Sequence, residues 1–138
     1  MDVPNLKFHH LGLAVKDPQA AQTFLRALGY RLAEPVYDAL QAVNLCMCEH
    51  AAMPAVELIW PEGDASSPVT NMLRKRDGLV YHLCYISDDV AEALTAIEAM
   101  GIRALPLGEP KPAILFNHQP VSFYHLHNIG IIEIIHNH

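Results

Sequence analysis

The chain has 138 residues and a formal net charge of -6, with no basic stripe; that disfavours a nucleic-acid partner, whose phosphates attract a positive surface. At 51% hydrophobic and 17% charged, it has the composition of an ordinary globular protein, long enough to bury one sizeable core. No apolar run reaches transmembrane length, and Met1-Asp2-Val3-Pro4-Asn5 lacks the charged and apolar regions of a signal peptide. We therefore expect a cytoplasmic protein with no membrane partner. The three cysteines, Cys46, Cys48 and Cys84, are odd in number and form no Cys-x-x-Cys, which argues against a disulfide framework or a zinc knot.

In chain order, Phe8 to Val15 is a short apolar run stopped by Lys16-Asp17-Pro18 and is expected to be a buried strand. Asp17 suits a helix N-cap with Pro18 in the first helical position. The helix runs to about Leu28 and closes at Gly29. Strands are expected at Tyr30 to Val36, Val43 to Cys48 and Ala55 to Trp60, the last halted by Pro61-Glu62-Gly63-Asp64. A connector follows, about residues 62 to 78, with a helix start at Ser66-Ser67-Pro68 and a short amphipathic turn through Val69, Met72 and Leu73. Arg74-Lys75-Arg76 reads as a solvated helix end, and Gly78 ends the connector. The order then repeats: strand Leu79 to Ile86, a helix capped by Asp88 or Asp89 and closed at Gly101, then strands at Ile102 to Leu105, Ala113 to Phe116, Val121 to Leu126 and Ile129 to His136.

The repeat is written in the residues. His10, Asp17 and Gly29 recur as His82, Asp89 and Gly101, each 72 positions later. Such self-similarity marks two copies of one supersecondary unit. The expected fold is α+β: two paired βαβββ modules, about 7 to 61 and 79 to 136, in a single domain spanning 1 to 138. Their sheets would pair as an open, barrel-like, cleft-shaped sheet, with each helix outside its own sheet.

A carboxylate stands in the middle of the last strand of each module, in Val56-Glu57-Leu58-Ile59 and Ile132-Glu133-Ile134-Ile135. Burying one without a partner is costly, and here it happens at two repeat-related places. His10, Glu57, His82 and Glu133 together suit one divalent metal ion, since imidazole plus carboxylate accommodates zinc, cobalt, nickel, manganese or iron. Two open positions would remain for substrate oxygens, with the ion as a Lewis acid. His9 aligns with Tyr81 and falls on the opposite strand face from His10. His125 and His127 flank Leu126 and would share a face. His136 and His138 are read as surface.

These motifs together resemble the vicinal-oxygen-chelate superfamily, which includes glyoxalase I, methylmalonyl-CoA epimerase, ring-cleaving dioxygenases and bleomycin-resistance proteins. The residues that carry the resemblance are His10-Leu-Gly-Leu-Ala-Val, Val56-Glu57-Leu-Ile-Trp-Pro61, Tyr81-His82-Leu-Cys-Tyr and Ile131-Ile-Glu133-Ile. It implies paired βαβββ modules with His10, Glu57, His82 and Glu133 on the metal-ligand positions. Within the superfamily, Ser67-Pro68-Val69 through Leu79 and Gln41-Ala42-Val43 are similar to the methylmalonyl-CoA epimerase group. That group usually has His-His where this chain has Tyr81-His82. The segments Lys111 to Phe116 and His125 to Asn128 also depart from it.

The resemblance implies a metal-dependent epimerase or isomerase that transfers a proton next to a carbonyl. Glu133 is the candidate base, followed by Asp38 and Glu49. The alternatives are a glyoxalase I-type lyase acting on a glutathione hemithioacetal, or a non-catalytic drug-binding protein. The substrate is expected to be a small molecule, an acyl-CoA or a glutathione adduct. A homodimer is expected because open sheets expose edges, with Leu6, Phe8 and Ile129 near them.

Overall fold

The structure is a computed structural model and describes residues 3–63 and 67–138. Among the described residues are ten strands and three helices, an α+β fold built on open strand paths. Backbone contacts divide the chain into two compact units, one of His10–Tyr81 and one of Met1–His9 with His82–His138.

The first unit carries most of β1 (Lys7–Val15), then α1 (Pro18–Ala27), β2 (Arg31–Leu32), β3 (Val36–Asp38), β4 (Val43–Glu49), β5 (Val56–Pro61) and α2 (Pro68–Met72). Its strands run in the order β2-β4-β5-β1, with β3 also on β4. β5 lies parallel to β1, and β4 is antiparallel to β5. The second unit carries β6 (Gly78–Ser87) from His82 onward, then α3 (Val90–Ala99), β7 (Ala104–Pro106), β8 (Lys111–Pro112), β9 (Pro120–Leu126) and β10 (Gly130–His136). Its order is β6-β10-β9-β7, with β8 on β9; β10 is parallel to β6 and antiparallel to β9.

The helix signals act as the sequence implies. Asp17 Oδ1 accepts the Gln19 amide at 2.9 Å, and Asp89 Oδ1 accepts the Glu92 amide at 3.0 Å. Such caps satisfy amides that the helix leaves without intrahelical partners. Ser67 caps α2 through Thr70; Ser66, like Asp64 and Ala65, lies outside the described residues. Gly29 takes φ +99, and a Cβ there would stand 3.0 Å from His50 Nε2. That ring is fixed: its Nδ1 accepts the Ala52 and Met53 amides, and its Nε2 stands 2.9 Å from the Leu28 carbonyl. Since Nδ1 is the acceptor, Nε2 carries the proton and donates to Leu28. His50 thus ties the end of α1 to the turn between β4 and β5.

Each helix covers one face of its own strands. Leu25 of α1 packs with Cys46, Cys48, Val56 and Leu58. Burial raises both thiols, Cys48 to about 12, so they behave as small core residues. Val90 and Ile97 of α3 pack with Tyr124, Leu126, Ile132 and Ile134. Because side chains alternate along a strand, Glu57 and Glu133 face away from the helices.

Four expectations need correction. The strand expected at Tyr30 to Val36 is two short pieces, β2 and β3, separated by Ala33-Glu34-Pro35; Pro35 has no amide to donate to the ladder. The strand expected at Ala113 to Phe116 is a turn, in which the Phe116 and His118 amides both return to the Ala113 carbonyl. Asn117 and His118 have φ +54 and +60, left-handed values that break an extended run. β9 ends at Leu126, so His127 lies beyond the strand instead of sharing its face with His125. His136 is not simply surface: it closes β10, half-buried, 2.7 Å from the Ser122 hydroxyl. Burial, with a smaller contribution from His138, lowers its pKa.

Candidate functional site

In the first unit, His10 of β1 and Glu57 of β5 are both buried, with His10 Nε2 3.8 Å from Glu57 Oε1. The parallel register sets Gly12 opposite Glu57. His10 is two residues before Gly12, so it projects on the same face, diagonally across from the carboxylate. Val56 and Leu58, on either side of Glu57, belong to the core under α1. That burial fixes the strand's rotation and leaves Glu57 no route to solvent on the helix side.

The second unit repeats this arrangement. His82 of β6 and Glu133 of β10 are buried, with Nε2 and Oε1 3.0 Å apart. Cys84 is opposite Glu133 in a parallel register, and His82 is two residues before Cys84. In both units the histidine therefore stands two positions ahead of the residue facing the glutamate, on a parallel neighbour. Ile132 and Ile134 flank Glu133 in the core under α3, as Val56 and Leu58 flank Glu57.

Such pairs are poor devices for stability, because a buried ion pair can often be replaced by apolar residues at little cost or with a gain. Two of them in one register make sense as donors. Each pair offers one imidazole nitrogen and one carboxylate oxygen, a donor set suited to divalent transition ions.

The other candidate carboxylates are engaged differently. Asp38 is buried at the end of β3 and accepts the Leu40 amide and Gln41 Nε2, both at 3.0 Å. It pairs with Val43, which pairs with Pro61. Asp38 therefore shares the Glu57 face but lies two strands across and four residues along it, ~13 Å along the strand direction alone. Glu49 is exposed at the end of β4, where its Oε2 lies 3.0 Å from Arg31 Nη2. Between them, β4 lines the Glu57 face with Val43, Leu45 and Met47.

Phe123 was not legible as a site residue. It is the cross-strand partner of Glu133, and its ring meets the His82 ring edge-on at 5.5 Å between centroids. Stepping back by twos from Glu133 around the hairpin would have found it, but only with the turn length known. Phe123 also packs with Cys84, Val121 and Ile135, so the second pair is set in an apolar wall.

Residues 9–123 match the Glyoxalase/Bleomycin resistance protein/Dioxygenase superfamily. The chain belongs to this superfamily. Among its relatives, the ethylmalonyl-CoA/methylmalonyl-CoA epimerase of Cereibacter sphaeroides is 31% identical over 123 residues, covering 86% of this chain and 87% of that protein. The mitochondrial methylmalonyl-CoA epimerase of Dictyostelium discoideum is 28% identical over 121 residues, covering 86% of this chain and 70% of its own. Among solved structures of this superfamily fold, the methylmalonyl-CoA epimerase of Mycobacterium tuberculosis superposes with a TM-score of 0.73 at 19% identity, covering 97% of this chain and 88% of that one.

Proposed function

We propose that the protein is a metal-dependent epimerase or isomerase that moves a proton next to the carbonyl of an acyl thioester. The observation that carries this is the pair of equivalent buried His–Glu arrangements, in a chain of a superfamily whose relatives include an ethylmalonyl-CoA/methylmalonyl-CoA epimerase. In this reading the two modules act as one domain, and His10, Glu57, His82 and Glu133 hold one divalent ion, zinc, cobalt, nickel, manganese or iron. The donor chemistry fits: all four side chains are buried and none is a soft ligand. When bound, the ion supplies Lewis acidity to the substrate's oxygens.

The chain's own residues do the rest. Glu133 takes the acidic proton from carbon, the electron pair of the broken C–H bond moves toward the carbonyl, and a solvent water then gives a proton to the opposite face of that carbon while Glu133 releases its own to solvent. A carboxylate base works when it is held close to that proton, and the register of β10 on β6 holds Glu133 beside His82. Glu57 and the two imidazoles act only as donors. Phe123 and Ile135 keep the Glu133 face dry, which strengthens every electrostatic interaction there. Asp38 and Glu49 are already held by the Gln41 turn and by Arg31, which favours Glu133 over them as base.

The substrate in this proposal is an acyl-CoA of the methylmalonyl type. The protein works in the cytoplasm as a homodimer, with exposed Phe8 and Ile129 and half-buried Leu6 as candidate contact residues. No described helix is long and apolar enough to cross a membrane.

The test is incubation of the metal-loaded protein with methylmalonyl-CoA in deuterated water, read by mass spectrometry. We expect deuterium at the acidic carbon. No exchange there, together with formation of S-lactoylglutathione from methylglyoxal and glutathione, would replace this reading with the glyoxalase one.

A further inference from the structure

We propose that His125 is a substrate-positioning residue whose imidazole donates a hydrogen bond to an anionic oxygen of the acyl group. This rests on the epimerase reading and concerns the same site.

Register places it. On β9, Phe123 faces Glu133 and His125 faces Ile131. His125 therefore projects on the Glu133 face, roughly 7 Å along the strand from Phe123. Tyr124 and Leu126, on the opposite face, are buried in the core under α3, so the strand cannot rotate His125 away. Its neighbours on the site face are Phe123, Ile131 and, across on β7, Leu105. His125 is exposed, and its side chain makes no hydrogen bond, ion pair or ring contact among the described residues. It is a polar group in an apolar surround, beside the buried His82–Glu133 pair. Ligand sites have this composition, with mostly apolar walls and a few placed polar groups that fix orientation.

Two variants test it. His125→Phe keeps a planar ring and removes the donor; His125→Gln restores a neutral donor. On a 2-carboxyacyl thioester, His125→Phe should raise KM about 10- to 100-fold, the size of losing a hydrogen bond to a charged group, with kcat little changed. His125→Gln should recover part of the loss. A parental KM in His125→Phe, with an active parent, would overturn the proposal. Independently, malonate titrated into the zinc-loaded protein should shift the NMR signals of the His125 ring. If the parent exchanges no acyl thioester, the epimerase reading falls by itself and the titration decides the role of His125: a shift upholds anion contact, and unmoved ring signals refute it.

Discussion

Glu133→Gln is expected to keep its metal and lose solvent exchange of the substrate's acidic proton by about 10²–10⁴-fold, the usual worth of a general base. The amide retains an oxygen that can donate to an ion, but it cannot accept a proton at neutral pH. The residue is buried between Ile132 and Ile134, and Gln has nearly the same shape, so the strand has no reason to move. Glu57→Gln is the control. Glu57 sits in the same register on its own parallel pair, and as a donor only it should lose far less. Deuterium incorporation and bound metal, measured on both variants, separate the roles. Full exchange in Glu133→Gln with loss in Glu57→Gln would swap them; full exchange in both would move the base elsewhere, with Asp38 and Glu49 next.

The second large effect is on stability. His82→Ala should destabilise the metal-free protein by about 3–5 kcal/mol, the cost of stripping one partner from a buried pair. That is a large share of a typical total of about 5–15 kcal/mol. The reason is that Glu133, buried in an apolar wall, loses the imidazole that stood 3.0 Å from it. Replacing both members, His82→Leu with Glu133→Leu, removes the buried carboxyl together with its partner and should recover much of the loss, while abolishing exchange. Denaturant unfolding of parent, single and double variants measures this. A double variant less stable than His82→Ala would show that the pair contributes to stability by itself.

How much of this was readable beforehand depends on how local each signal is. Asp17 and Gly29, Asp89 and Gly101 act within a turn of their helices, and both glycines take positive φ, +99 and +84. Those boundaries were legible. Glu57 and Glu133 were legible because a carboxylate inside an apolar strand is conspicuous. The shared register was not. His10 to Glu57 spans 47 positions and His82 to Glu133 spans 51, and only strand pairing shows that both histidines sit two residues ahead of the glutamate's partner. Ala113-Ile114-Leu115-Phe116 misled because an apolar run looks like a strand whether it pairs or plugs. Ala113 and Phe116 pack against Cys84, Val121 and Ile135, and the Phe116 ring meets His9 edge-on at 5.2 Å. Ala113 is buried and Phe116 half-buried while the backbone turns and leaves Ile114 exposed. The face of His125 depended on the turn at Asn128, φ +64, whose length sets the hairpin register.

The measurement that bears most directly on the account is bound metal per chain after dialysis, in the parent and in His10→Ala, Glu57→Ala, His82→Ala and Glu133→Ala. On the proposed four-donor site, one divalent ion per parent chain and loss of occupancy in each variant are expected. Full occupancy in any two of the four, or no tight ion in the parent, would contradict it.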